Sequence, residues 1–451
     1  MLRLDDIKEV FLIGIGGIGM SALARYFQHL GCGVYGYDKT KTTLTSQLEK
    51  EGISVFYQDD IERIPAPFQL YSEQHLVVYT PAVPKDLNLI ACLKGVGYVL
   101  HKRSEVLGII SAHRYTIAVA GTHGKTTTSS MIAHILTYSG VGCSAFLGGI
   151  TANYGTNVLF SDNDLVVVEA DEFDRSFLTL HPDIAIVTST DADHLDIYGD
   201  ASHVKESFRL FIKQVASNGL RIIKKGLDLP ADIHYSASEQ ADAYASNICI
   251  ENGDYYFDYI GNTEKIERIQ LGVPGIHNVE NAVAAITAVK HLVEDVGLLK
   301  AALTSFRGVK RRFEYIVKSE SHVYIDDYAH HPEELKACLA AVKSLYPNER
   351  LVFVFQPHLY SRTRDFLDDF AKVLSQVDVL LLMDIYPARE LPIRGVSSVV
   401  LLNKVQCAEK YLVSPEQAVE YVARHRPSLV VTAGAGDIDL LVEPIKEALN
   451  A

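Results

Sequence analysis

No apolar run in this chain approaches the length of a membrane span; the longest, such as residues 377–383, are strand-sized. Positive charge is also short, with 42 Lys and Arg against 56 Asp and Glu and a net charge of −14. Without a basic surplus to displace counterions from phosphates, the chain is not expected to bind nucleic acid. Small anionic substrates stay open, because a few placed cations and helix N-termini override the global sign locally. The six cysteines, Cys32, Cys92, Cys143, Cys249, Cys338 and Cys407, lie far apart with no Cys-x-x-Cys. They read as free thiols of a reducing cytosol, with neither a disulfide framework nor a zinc site. The first ten residues carry acids where a secretory signal would be apolar, so a cytoplasmic protein with no membrane insertion is expected. Neither a solenoid-period repeat nor a low-complexity segment is present.

What is there is the texture of a globular α/β protein. Hydrophobic content of 48% with 22% charged residues is too apolar for disorder. A length of 451 residues, at about 150 per domain, suggests about three domains. Strand-like and helix-like patterns alternate, which predicts parallel sheets with crossover helices. In the first block strands are predicted at 9–13, 34–37 and 76–79, with helices at 20–30 and 104–111. In the second, strands at 115–120, 165–170 and 184–189 accompany a helix from 125 to 138. Tyrosines, polar residues and glycines between 220 and 270 suggest short antiparallel hairpins, and a helix at 281–293 follows. Strands at 322–326, 351–355, 379–383 and 429–432 make the third block. The boundaries fall at 1–113, 114–310 and 311–451.

Two glycine-rich turns follow predicted strands and open predicted helices. In the first, Gly14, Gly16, Gly17 and Gly19 surround Ile15 and Ile18, and Asp38 ends the next strand. Glycines there permit a tight turn and close approach of the backbone to a diphosphate at a helix N-terminus, and Asp38 would accept from a ribose hydroxyl. NAD and a UDP-sugar both present such a diphosphate. The second turn reads Gly121, Thr122, His123, Gly124, Lys125, Thr126, Thr127, the second half of a P-loop, with Val119 where the full pattern has glycine. Its backbone N–H groups can cradle phosphate oxygens, Lys125 is a compact cation for the β- and γ-phosphates, and the Thr126 hydroxyl is placed for Mg²⁺. Downstream, Glu169 ends an apolar strand where a second metal ligand belongs, and His194 lies among Asp191, Asp193 and Asp196 beyond the next.

Eight motifs, in order, resemble the Mur ligases of peptidoglycan synthesis: residues 14–21 (GIGGIGMS), 121–127 (GTHGKTT), 169–172 (EADE), 193–198 (DHLDIY), 275–281 (GIHNVEN), 311–314 (RRFE), 326–332 (DDYAHHP) and 356–363 (QPHLYSRT). The resemblance spans essentially the whole chain. It implies a Rossmann-like UDP-binding domain, a central ATPase domain and a Rossmann-like C-terminal domain that closes over the nucleotide. It also implies ATP and Mg²⁺ as cofactors, and an acyl phosphate formed on the lactyl carboxylate of UDP-N-acetylmuramate. The opening motif favours the member that adds L-alanine over the recycling relative that attaches a tripeptide.

Carried over by position, the resemblance puts the UDP-sugar at Gly16, Gly17, Ile18, Gly19 and Asp38, with His123, His331 and Tyr386 also beside substrate. Lys125 would stabilise the γ-phosphoryl group within the loop of Gly121, Thr122, Gly124, Thr126 and Thr127. Metal would be held by Thr126, Glu169 and His194, with Asp196 as the partner of the histidine's other nitrogen. Asn281 would bond the adenine, His277 and Asn278 would shape its pocket, and Asp327 and Tyr328 would approach the nucleotide. Arg312 would reach the ATP phosphates on closure, and His358 and Arg362 would face the alanine and the lactyl carboxylate. Two positions depart from the family: Leu359 stands where an arginine is common, and Arg389 where glycine is usual. An oxidoreductase reading uses only the first loop and leaves Lys125, Glu169 and His194 without work; a P-loop binding module would lack the synthetic chemistry.

Overall fold

A computed structural model describes residues 4–84, 86–112, 114–191, 201–251, 253–262, 264–388 and 390–450. Among them, strands gather into three sheets. The first is built from β1 (Glu9–Ile13), β2 (Gly33–Tyr37), β3 (Ser54–Phe56), β4 (His75–Tyr79) and β5 (Leu100–Lys102), in the order β3-β2-β1-β4-β5 and parallel throughout. Strand order reverses at β1, so a crevice opens beyond its C-terminal end, where the first glycine loop emerges. Alternate residues of β1 serve two cores: Val10 and Leu12 pack with Leu76 and Val78, Phe11 and Ile13 with Val77 and Phe68. Burial on both faces is what a parallel sheet covered by helices requires.

The second sheet contains β6 (Tyr115–Ala120), β7 (Ser144–Phe146), β8 (Val158–Leu159), β9 (Leu165–Glu169), β10 (Ile184–Val187), β11 (Leu220–Lys224), β12 (Ile233–Ser236), β13 (Ala243–Glu251), β14 (Asp254–Ile260) and β15 (Lys265–Leu271), in the order β15-β14-β13-β12-β11-β10-β6-β9-β7-β8. β6 lies between β10 and β9, parallel to both. The hairpins expected over 220–270 need correction. β11 pairs in parallel with β10, β12 with β11 and the start of β13 with β12, so the parallel core extends further than the polar texture suggested. β13, β14 and β15 are neighbours in the sheet joined by connections of two and four residues, the lengths of hairpin loops.

In the third sheet β16 (Glu314–Lys318) runs antiparallel to β17 (Val323–Asp327), while β18 (Leu351–Phe355), β19 (Val379–Leu382), β20 (Glu409–Leu412) and β21 (Leu429–Ala433) are parallel, in the order β16-β17-β21-β18-β19-β20. Phe353, Phe355, Leu380 and Leu382 feed one core and Val352, Val354, Val379 and Leu381 the other. Two compact units divide the chain: Met1–Asn247, Phe257–Ile269 and Glu280–Phe306 form one, and Ile248–Tyr256, Gln270–Val279 and Arg307–Ala451 the other.

Candidate functional site

The loop after β6 leaves the C-terminal edge of the second sheet and caps the helix Lys125–Tyr138 at Gly124. Gly121 and Gly124 have φ of 139° and 81°, the half of conformational space that favours glycine. A Cβ on Gly121 would stand 2.1 Å from Thr188 Oγ1, so that position admits no side chain. The segment after β10 braces the loop. His123 N–H donates to Ser189 Oγ at 2.7 Å, the Thr122 and Ser189 hydroxyls are 2.8 Å apart, and the Thr188 hydroxyl donates to the His123 carbonyl. No side chain caps the helix, and its first-turn N–H groups are the donors a phosphate uses.

Lys125 reaches back from that first turn. Its Nζ donates to the Gly121 carbonyl at 2.5 Å and lies 3.0 Å from Glu172 Oε1 and 2.8 Å from Oε2. Burial alone would lower its pKa, but Glu172, then Glu169 and Asp171, outweigh it and hold the ammonium above the ordinary lysine range. Glu172 was not singled out from sequence; its place three residues past the strand tip, in the same acidic cluster, was the available signal. Glu169 ends β9 opposite Val119 of β6, and its Oε2 accepts from Gly148 N–H at 2.9 Å. Thr126 is buried on the first turn of the helix. A hydroxyl on the first turn of this helix and a carboxylate at the end of β9 are the hard oxygen donors that Mg²⁺ takes, so the residues present fit that ion. His194, Asp193 and Asp196 lie outside the described residues, as does Arg389.

At the end of β1, Gly14 has φ 87° and a Cβ there would meet Thr80 Cγ2 at 2.4 Å. Gly17 caps the helix Ile18–His29, with Gly19 in its first turn. Asp38 is already engaged: Oδ2 accepts from Gly16 N–H at 2.8 Å and Oδ1 from Thr40 N–H at 3.1 Å. Its carboxylate therefore shapes the loop, beyond the ribose contact expected of it. Asn281, buried on the helix Ile276–Val289, places Oδ1 2.9 Å from where a Cβ on Gly124 would lie, directly against the phosphate loop.

The second unit brings most of the remaining candidates together. Arg311 and Arg312 lie over the Tyr328 ring at 5.3 and 5.1 Å, and Arg312 Nη1 stands 3.7 Å from Glu334. Burial, then Arg312, lowers the His277 pKa to about 4, and Asn278 Nδ2 donates to the Pro274 carbonyl at 2.6 Å. Asp327 accepts from Phe313 N–H at 2.8 Å and Ala329 N–H at 2.7 Å; burial pushes it up to about 6 against those donors and Arg312. It works as a brace for the 311–313 turn, where Arg311 and Phe313 have positive φ. His331 is buried as the N-cap of the helix Pro332–Leu345, its ring 4.6 Å from Phe366. Both residues expected at ligands thus carry local structural work.

His358, Arg362 and Tyr386 do converge. The His358 and Tyr386 rings stack at 5.7 Å, and Arg362 Nη1 is 3.3 Å from His358 Nδ1. A guanidinium only donates, so Nδ1 accepts and the neutral ring carries its proton on Nε2. Leu359, between them, has φ 72°, a strained conformation for a branched residue of the kind held at functional turns. His330, passed over in the sequence, sits 5.8 Å from His358 and donates from Nδ1 to the Tyr328 carbonyl at 2.8 Å.

Three family models match in succession: "Mur ligase family, catalytic domain" over residues 9–115, "Mur ligase middle domain" over 119–289 and "Mur ligase, glutamate ligase domain" over 311–436. A UDP-N-acetylmuramate–L-alanine ligase of Flavobacterium psychrophilum is 49% identical over 449 residues, covering 100% of both chains. The crystal structure of a UDP-N-acetylmuramate-alanine ligase from Thermotoga maritima superposes with TM-score 0.84 at 27% identity, covering 98% of this chain and 99% of the other. A murein peptide ligase from Psychrobacter arcticus shares the fold, with TM-score 0.70 at 24% identity and 98% of each chain covered.

Proposed function

This chain belongs to the Mur ligase family, and from that premise we infer that it is an ATP-dependent ligase joining L-alanine to the lactyl carboxylate of UDP-N-acetylmuramate in peptidoglycan precursor synthesis. The observation that carries this reading is the full-length likeness to a ligase of that name. The peptide-adding alternative has the more distant match in its favour, which supports the fold alone.

A carboxylate is a poor electrophile, and transfer of the γ-phosphoryl group of ATP to it supplies a leaving group. The alanine amine then attacks the carbonyl carbon, phosphate departs, and an amide and ADP remain. The backbone N–H groups of Gly124, Lys125 and Thr126 fix the phosphates, and the Lys125 ammonium meets the charge on the transferring group. Asn281 is assigned to the adenine, Arg312 to the ATP phosphates, and Arg362 with His358 to the alanine. Thr126, Glu169 and His194 would hold Mg²⁺, which when bound neutralises phosphate charge. The glycine loop after β1 is assigned to the UDP diphosphate. Residues 1–113, 114–310 and 311–451 divide the labour among UDP-sugar, ATP and amino acid. No described helix is long and apolar enough to cross a membrane; use of ATP and six free cysteines support a cytoplasmic setting.

Phosphate release tests the reading. It should require UDP-N-acetylmuramate and L-alanine together, and release with a tripeptide but not with alanine would overturn the assignment.

A further inference from the structure

The turn that carries His358 and Arg362 runs from the end of β18 into the helix Tyr360–Asp365, and the loop after β19 grips it at two points. At the first, His358 bridges Tyr386 in the manner of parallel strands. Tyr386 N–H donates to the Pro357 carbonyl at 2.8 Å, and Leu359 N–H donates to the Tyr386 carbonyl at 2.9 Å. At the second, the Glu390 carboxylate takes both donors of Ser361: Oε2 accepts from the N–H at 3.0 Å, and Oε1 accepts from the hydroxyl. Leu359, which precedes the helix, has no side-chain oxygen for the first-turn N–H groups. Glu390 supplies that acceptor from 29 residues further along the chain. Such a hold is needed, because Leu359 at φ 72° stays in place only where its surroundings over-determine it. Arg362 directly follows Ser361 and is buried, so the pinning of Ser361 sets the line along which its guanidinium approaches His358.

We propose that Glu390 is a positioning residue for the amino-acid site: acting through Ser361, it fixes the turn that aims Arg362 and His358 at L-alanine. The proposal rests on the assignment of those two residues to the amino acid. Hydrogen bonds to an ionised carboxylate are stronger than neutral ones, and a two-point hold fixes direction as well as distance. Misplacing a substrate-positioning group by about 1 Å can cost about 10²-fold in rate. L-Alanine is the substrate most exposed to that loss. It offers only a carboxylate, an amine and a methyl group, so little else in it offsets a misdirected guanidinium.

Steady-state kinetics on the full chain, with each substrate varied in turn, test this. Glu390→Ala should raise the apparent KM for L-alanine about 10–100-fold, the range for a charged hydrogen-bonding group, and leave those for ATP and UDP-N-acetylmuramate nearly unchanged. Glu390→Gln keeps an oxygen for the Ser361 N–H and an amide N–H for its hydroxyl, so it should restore most of the loss. Ser361→Ala removes the hydroxyl alone; its KM for L-alanine should rise less, and adding it to Glu390→Ala should change nothing further. A Glu390→Gln variant as impaired as Glu390→Ala would place the charge on the alanine ammonium itself and overturn the proposal. So would a rise shared by all three constants, full additivity of the two alanine substitutions, or a fall in kcat alone, the mark of lost folded enzyme. If Glu390→Ala does not fold, Ser361→Ala decides the matter by itself, and an unchanged KM for L-alanine there overturns the proposal. Wild-type protein whose phosphate release ignores L-alanine would defeat the amino-acid assignment, a result separate from any variant.

Discussion

Lys125 Nζ stands 2.8 Å from Glu172 Oε2, with 13% and 3% of the two side chains exposed. A buried pair of this kind is costly to break on one side, because the survivor is left charged and unsolvated. An ammonium has three donors, and Gly121 and Glu172 engage two of them, which leaves one aimed by the other two. The phosphate loop is therefore held in a set geometry before any nucleotide is bound.

Lys125→Ala should lower turnover by about 10²–10³, as loss of a single charge-stabilising donor does in such sites. Glu172→Gln keeps an acceptor for the ammonium and should cost less, on the order of tenfold. Steady-state kinetics on folded variants decide it; near wild-type turnover in Lys125→Ala would remove the loop from the chemistry.

Much of this arrangement was legible in the sequence because the signals are local. β6 and the helix Lys125–Tyr138 fall where apolar runs and the glycine pair put them, and β1 and β18 match to the residue. The short strands β3, β7 and β8 were missed, since two or three residues carry no period. Pairings across the chain were equally hidden. Nothing in the spacing shows that Glu172 meets Lys125, that Asp38 is used by Gly16, or that Asp327 binds backbone. The parallel run of β11 and β12 was obscured because Arg221, Lys224 and His234 interrupt its apolar residues.

Arg312→Ala should depress turnover strongly while leaving UDP-N-acetylmuramate affinity unchanged, because Arg312 and the glycine loop assigned to that ligand belong to different compact units. Calorimetry showing a weakened UDP-sugar in this variant would contradict that division.

Acid should destabilise the second unit through its histidines. Burial, reinforced by Arg362 and Arg312 and opposed by Glu334, lowers His330 to about 4, and His277 is lowered to about 4 as well. Both are neutral when folded, so their contribution is present above the unfolded value of about 6.5 and is lost as pH falls from there toward 4. Asp327, raised to about 6, acts in the opposite sense between about 6 and 4. The net loss from about pH 7 to about pH 5 should be on the order of 1–2 kcal/mol. Denaturant melts at both pH values should show a smaller difference in His330→Gln; an unchanged difference would acquit this histidine.

We assign Arg362 to the alanine carboxylate, where a His358 ring protonated on Nε2 would offer a second donor. Arg362→Lys should raise the apparent KM for L-alanine substantially and leave that for ATP nearly unchanged. An equal rise in both would move Arg362 to the phosphates.

The central claim is that the lactyl carboxylate is phosphorylated before the amide forms, and heavy oxygen follows it directly. UDP-N-acetylmuramate labelled in that carboxylate is incubated with ATP, Mg²⁺ and L-alanine, and the released phosphate is weighed by mass spectrometry. The account predicts one labelled oxygen in each phosphate, matched by an equal yield of the alanyl amide. Amide formation accompanied by unlabelled phosphate would contradict it.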